Sequence, residues 1–88
     1  MDTDLLREQL TKLHQELGLA RRVDPRSAEL LEEIESDIKR LLANEQLPTP
    51  PATLPDRLER MAVDFEVQHP TLALSSRRLV DILGKIGV

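Results

Sequence analysis

The chain has 88 residues and a formal charge of −4, with 32% charged and 40% hydrophobic residues and no cysteine, tryptophan or tyrosine. A chain of this length forms one small domain, and such domains bury only about 60–65% of the surface that the unfolded chain exposes. The composition excludes disulfides and thiolate metal sites, and no apolar run approaches the roughly 20 residues of a membrane span. We therefore expect a small domain that gains stability by association.

Two antiparallel helices are predicted for the first half of the chain. An apolar ladder with steps of four and three predicts a helix from about Thr3 to Leu17, with Gly18 as its C-terminal cap: Leu6, Leu10, Leu13 and Leu17. Asp24 followed by Pro25 predicts the start of a second helix that continues to about residue 43 or 44. An aspartate side chain accepts hydrogen bonds from the free backbone amides of the first turn, and proline has no backbone N–H that would stay unpaired there. Only about six residues separate the two helices, which makes them neighbours in a hairpin.

A proline-rich linker over residues 45–54 is predicted to join this first hairpin, residues 3–44, to a second hairpin over residues 55–88. Thr53 and Asp56 have the spacing of a capping box at the start of helix three, which carries a second apolar ladder: Leu54, Leu58, Met61 and Phe65. Helix four is predicted to begin at Pro70 or Thr71 and to run to about Gly84. The predicted fold class is all-α, a single domain of two helical hairpins that resembles a four-helix bundle and is completed by oligomerisation.

Helix four has the broadest apolar stripe, which predicts either the centre of the core or an oligomer interface: Leu72, Leu79, Val80, Ile82, Leu83 and Ile86. Residues 24–38 contain six acids and one base, whereas residues 70–88 contain three bases and one acid. Opposite charges of this kind favour contact between the two segments, within one chain or between copies. A homo-oligomer or a complex with a protein partner is therefore expected.

Glu66 and His69 have the Glu-x-x-His spacing with which helices in di-metal bundles hold an ion. Such a site needs further inward-facing glutamates, and no glutamate is expected squarely on an apolar stripe of the other helices. We therefore predict no metal and no cofactor, and we retain Glu66 and His69 as the only metal-ligand candidates.

Catalysis and nucleic-acid binding have weak support in the sequence. Ser75, Ser76, His69 and Asp81 include the residue types of a catalytic triad, but hydroxyl groups on a helix more often face solvent or bond to the preceding turn. His14 borders the first ladder, where a solvent-facing or interface-edge histidine is expected. The arginine doublets at 21–22 and 77–78 lie in an acidic chain with one aromatic residue, so we expect no nucleic-acid partner.

Several motifs stand out along the chain: Leu10-x-x-Leu13-His14-Gln15-Glu16-Leu17, Asp24-Pro25, Leu30-Leu31-Glu32-Glu33, Glu66-x-x-His69-Pro70-x-Leu72-Ala73, Arg78-x-x-Asp81-x-Leu83 and Ile86-Gly87-Val88. In these motifs nearly the whole chain apart from the proline-rich linker resembles a family of small bacterial helical proteins, domain-of-unknown-function family 4404. The resemblance implies bacterial origin and a compact helical module. It brings no catalytic residues that could be assigned to this chain.

The predicted function is a non-enzymatic module for self-assembly or protein–protein interaction, with a small metal- or ligand-binding bundle that uses Glu66 and His69 as the alternative. Acidic residues at positions 2 and 4 stand where a secretory signal would carry positive charge, which predicts a cytoplasmic protein without a membrane partner.

Overall fold

Four α-helices make up most of the computed structural model, which describes residues 2–88. They are α1 (Asp2–Leu19), α2 (Pro25–Leu42), α3 (Leu54–Phe65) and α4 (Pro70–Ile86), and a short 3₁₀ turn at Pro51–Thr53 precedes α3. No strand occurs in the described residues, so the all-α prediction is confirmed. None of these helices is long and apolar enough to span a membrane.

The helices pack as a closed ring in which each contacts its neighbours in the sequence and α4 returns to α1. The most extensive contacts are those of α4 with α3 and with α1, whereas α2 makes smaller contacts with α1 and α3. The four-helix, bundle-like arrangement is therefore confirmed. The acidic α2 makes no extensive contact with α4 within residues 2–88, because α1 and α3 lie between these two helices.

The core is formed by the apolar stripes that the sequence predicts. The stripes of α1 and α3 are buried except for Leu17, which is only partly covered: Leu6, Leu10 and Leu13 on α1, and Leu54, Leu58, Met61 and Phe65 on α3. Leu31, Ile34 and Ile38 cover them from α2. Burial of side chains of this size typically stabilises a protein by about 1.5–3 kcal/mol each, so these stripes are the main source of stability.

The start of α2 confirms the capping prediction, because Oδ2 of Asp24 accepts a hydrogen bond from the Ser27 amide at 3.2 Å. The predicted cap at Gly18 is wrong. The Ala20 amide donates to the Glu16 carbonyl at 3.0 Å, so the α-helical bonding pattern passes through Gly18 and α1 ends at Leu19. A glycine after a leucine ladder permits a helix end but does not force one.

The predicted boundaries of α3 and α4 also need correction. Thr53 has helical backbone angles and its hydroxyl donates to the Pro50 carbonyl at 2.8 Å, so it forms no capping box with Asp56. Helix α4 continues beyond Gly84 to Ile86, and Gly87 caps it with a φ of 96°, the left-handed conformation typical of a helix end. The amides of residues 87 and 88 both donate to the Leu83 carbonyl there, at 3.1 and 3.0 Å.

Candidate functional site

Glu66 and His69, the predicted metal-ligand candidates, lie in the turn between α3 and α4. Because α3 ends at Phe65 and His69 has an extended backbone, the two residues do not share the continuous helix that the Glu-x-x-His spacing requires. The Glu66 carboxylate lies 3.5 Å from the Arg77 guanidinium, and the His69 ring stacks edge-on against Phe65. No group of three metal-binding side chains converges anywhere in residues 2–88.

The residue types of a catalytic triad are not brought together. The Ser75 hydroxyl donates to the Glu16 carboxylate, and the buried Ser76 hydroxyl donates to the Leu72 carbonyl at 2.9 Å. Asp81 lies 3.8 Å from Lys85 on the exposed side of α4. Each group therefore has a local structural partner, as the back-bonding interpretation predicts for Ser76.

The stripe of α4 divides into a buried and a partly buried set. Leu72, Leu79 and Leu83 are enclosed within the single chain, and the remaining three side chains pack on the core from its edge: Val80, Ile82 and Ile86. Of the two predicted positions for this stripe, the structure places it in the core. An additional role of this stripe in an interface stays a prediction.

Several large apolar side chains are exposed at a different place, the end of the bundle where α3 leads into α4. Val67 is 90% exposed and Leu19, at the C-terminus of α1, is 82% exposed; Val63 and Leu74 are more than half exposed. We call these four residues the apolar end. None of these four residues was predicted as a site residue, although Val63 and Val67 recur at a helical spacing of four.

An open cavity of about 330 Å³ adjoins the apolar end. Leu19 and Ala20 line it at the C-terminal end of α1, and residues 68–72 line it from the α3–α4 turn and the first residues of α4. At the opposite end of the bundle Leu5 lies beside Ile82. Helices α1 and α4 are therefore antiparallel, and the apolar end is formed by the C-terminus of α1 together with the α3–α4 turn.

A buried carboxylate connects α2 to α1. Oε2 of Glu35 lies 2.9 Å from Nδ1 of His14, the carboxylate residue is only 4% exposed, and the imidazole side chain is 68% exposed. The second oxygen, Oε1, is buried and has no hydrogen-bond partner in the described chain.

The sequence analysis was wrong to expect no glutamate on an apolar stripe. Glu35 follows Leu31 by four residues and precedes Ile38 by three, which is a core position of α2. This spacing in the sequence indicates that Glu35 lies on the buried face of α2.

A second polar pair connects α2 to α3. Arg57 Nη1 lies 2.7 Å from Oδ2 of Asp37, and the carboxylate is buried while the guanidinium is about one quarter exposed. Short charge-assisted bonds of this kind fix the relative position of two helices more strongly than contacts between neutral groups. The pair differs from His14–Glu35 because no oxygen of Asp37 is buried without a partner.

The similarity of this chain to known proteins extends over almost its whole length. The family described as Domain of unknown function (DUF4404) matches residues 6–88. No curated protein and no solved structure is significantly similar to the chain. The match includes all four helices and both buried carboxylate pairs, so the chain is a member of the DUF4404 family.

Proposed function

We propose that this protein is a non-enzymatic helical interaction module that associates with a second copy of itself through the apolar end. The observation that supports the proposal is that the most exposed Leu and Val side chains of the described chain lie there, whereas Leu5 and Leu30 elsewhere are less than half exposed. Scattered exposed apolar residues are normal on a soluble protein, but a contiguous group often marks an interaction surface.

The physical basis of the association is burial of the apolar end. Val63 lies in the last turn of α3, Val67 lies in the turn that follows α3, and Leu74 begins the second turn of α4. In a contact with two-fold symmetry both subunits use the same surface. Each of these side chains is therefore buried in both copies of the dimer. Partial burial of a Leu or Val side chain is worth about 1 kcal/mol, and the contact must exceed the entropy lost on association.

Exposed acidic residues on α2 and an exposed basic residue on α4 also support a second copy of the chain as the partner. Glu29, Glu32 and Glu33 on α2 are exposed and form no ion pair within residues 2–88, and the same is true of Arg78 on α4. Because α2 and α4 do not pack on each other inside the chain, their opposite charges are free to meet between chains. Exposed charge pairs add about 0–1 kcal/mol each, so they orient the contact while apolar burial stabilises it.

The mass of the protein in solution, measured by light scattering across a concentration range, tests this proposal. We expect a dimer that dissociates on dilution in the unchanged protein, and a monomer for the variants Val67→Asp and Leu74→Asp. Leu5→Asp is the matched control, since Leu5 is 47% exposed and Leu74 is 51% exposed but the two lie at opposite ends of the bundle.

A protein that is monomeric at every concentration would refute the proposal. The same conclusion follows if Leu5→Asp dissociates the dimer as strongly as Leu74→Asp. Leu79 and Leu83 are unsuitable positions for this test, because an aspartate in the core unfolds the chain whether or not it associates.

The alternative function, metal or ligand binding by Glu66 and His69, has no supporting arrangement in the described residues, since each side chain contacts a different partner. We place the proposed module in the bacterial cytoplasm. Fractionation of cells that contain the tagged chain tests that location, and recovery in the membrane or secreted fraction would contradict it.

A further inference from the structure

We propose that His14, held in place by the buried carboxylate of Glu35, is a surface ligand for a divalent transition cation such as Zn²⁺. The two residues come from different helices and are 21 positions apart in the sequence, so only the packing of α1 against α2 brings them together. The inference concerns the α1–α2 side of the bundle and is independent of the apolar end.

The carboxylate determines which imidazole nitrogen faces outward as an acceptor. Carboxylate oxygens accept hydrogen bonds, so the inferred arrangement has the His14 proton on Nδ1, donated to Oε2 of Glu35 across 2.9 Å. In the neutral ring Nε2 is then unprotonated and has a free lone pair. The side chain is 68% exposed and no other hydrogen bond of His14 occurs within residues 2–88, which leaves this lone pair accessible.

This arrangement is the one that metal-binding histidines adopt. Their second ring nitrogen almost always donates to a carboxylate or a carbonyl, which orients the ring and makes the ligating nitrogen more basic. Neutral imidazole is a preferred ligand of zinc, copper and nickel. Glu35 is therefore a positioning residue, and the atom that binds the cation is Nε2 of His14.

The state of Glu35 is the second observation that favours a functional role. A buried carboxylate is costly, and this one has a single hydrogen-bond partner while its other oxygen has none. A leucine would fit the apolar pattern of α2 at this position without that cost. A residue that violates the local packing rule in this way is expected at sites where function opposes stability.

The rest of the coordination shell is expected to be water and one further carboxylate. Glu32 lies one turn before Glu35 on α2, is exposed and forms no ion pair in the described residues. Residues three apart on a helix are neighbours on its surface, which makes Glu32 the candidate for the second ligand. No third protein ligand is gathered here, so exchangeable waters complete the shell.

Nuclear magnetic resonance of the two histidine side chains tests the proposal directly, because His69 is an internal control in the same molecule. When the His14 ring is neutral, the chemical shifts of its two nitrogens should show that the proton is on Nδ1. On titration with ZnCl₂, Nε2 of His14 should respond at a cation concentration at least tenfold lower than the nitrogens of His69. Glu35→Leu should weaken the response of His14 by about 10–100-fold, and Glu32→Gln should weaken it to a smaller extent.

Three results would overturn the proposal. A neutral His14 with its proton on Nε2 would contradict the orientation that Glu35 is inferred to impose. Equal zinc responses of His14 and His69 would indicate the ordinary affinity of an exposed imidazole. A response of His14 that is unchanged in Glu35→Leu would remove the positioning role, and the same spectra report that this variant is folded.

Discussion

Replacing Glu35 with leucine is expected to make the protein more stable. The carboxylate lies on the apolar stripe of α2 between Leu31 and Ile38, is 4% exposed, and has one oxygen without a hydrogen-bond partner in the described chain. Leucine has a similar volume and needs no partner. The loss of a carboxylate is usually harmful when it leaves a buried cation unpaired, but His14 is exposed and water can hydrate it.

The magnitude follows from the burial of each group. Removing the unpartnered oxygen recovers about 1–3 kcal/mol, and the loss of the hydrogen bond to the exposed imidazole costs about 1 kcal/mol. The leucine side chain adds the hydrophobic contribution of a buried aliphatic group. We expect a net increase of about 1–4 kcal/mol in the free energy of unfolding, the range found when buried ionic groups are replaced by apolar residues of similar volume. Each kcal/mol raises Tm of a domain of this size by about 4–8 °C.

A double-mutant cycle with His14→Ala separates the pair from its surroundings. In the unchanged background His14→Ala removes the only partner of a buried carboxylate and should cost about 1–2 kcal/mol. In the Glu35→Leu background the same change should cost almost nothing. Urea unfolding followed by circular dichroism measures all four proteins, and no metal is added.

Two results would refute this reasoning. One is a Glu35→Leu protein that is less stable than the unchanged protein by more than about 1 kcal/mol, since the position would then require a carboxylate for its stability. The other is an equal effect of His14→Ala in both backgrounds, because the imidazole and the carboxylate would not be energetically coupled.

Three further substitutions test other parts of the fold by urea unfolding. Leu79→Ala removes a fully buried side chain and should cost about 2–5 kcal/mol; a loss below about 1 kcal/mol would contradict its position in the core. Arg57→Ala leaves the buried Asp37 carboxylate without its partner at 2.7 Å and should cost about 2 kcal/mol, whereas an unchanged midpoint would mean that water replaces the guanidinium. Gly87→Ala should cost about 1 kcal/mol through its φ of 96° alone, because no atom lies within 4 Å of the added methyl group; a neutral result would show that the helix end relaxes.

The positions of the helices could be predicted because the signals are local. The Asp24–Pro25 start of α2 depends on hydrogen bonds within three residues, and the aspartate makes the expected bond to Ser27. The ladders of α1 and α3 predicted their buried faces because side chains three and four residues apart share one side of a helix. These signals need no knowledge of the rest of the chain.

Helix ends were predicted less well because competing local signals have similar strength. Gly18 and Gly84 both follow apolar stripes, yet the hydrogen-bonding pattern continues past each of them and only Gly87 adopts positive φ. Thr53 and Asp56 have the spacing of a capping box, but the preceding prolines place Thr53 in a 3₁₀ turn. The choice depends on small differences in free energy that a spacing pattern does not measure.

The candidate sites depended on contacts between distant residues. Glu66 and His69 are close in sequence, but the end of α3 removed the helical geometry that would have aligned them. His14 and Glu35 are far apart in sequence, and the packing of α1 on α2 joined them. The exposure of Val63 could not be predicted either, because it depends on which face of α3 the other helices cover.

The sequence by itself determined the all-α class, the four helices and most of the core, because helix formation and amphipathic faces are set by residues within one or two turns. Only the tertiary structure decided that α4 lies between α1 and α3 with its stripe enclosed, that α2 is kept away from α4, and that Glu35 is buried with one hydrogen-bond partner. The reason is physical: an apolar stripe specifies that it must be covered, but not which other stripe covers it. That choice is made by the combined packing of all four helices.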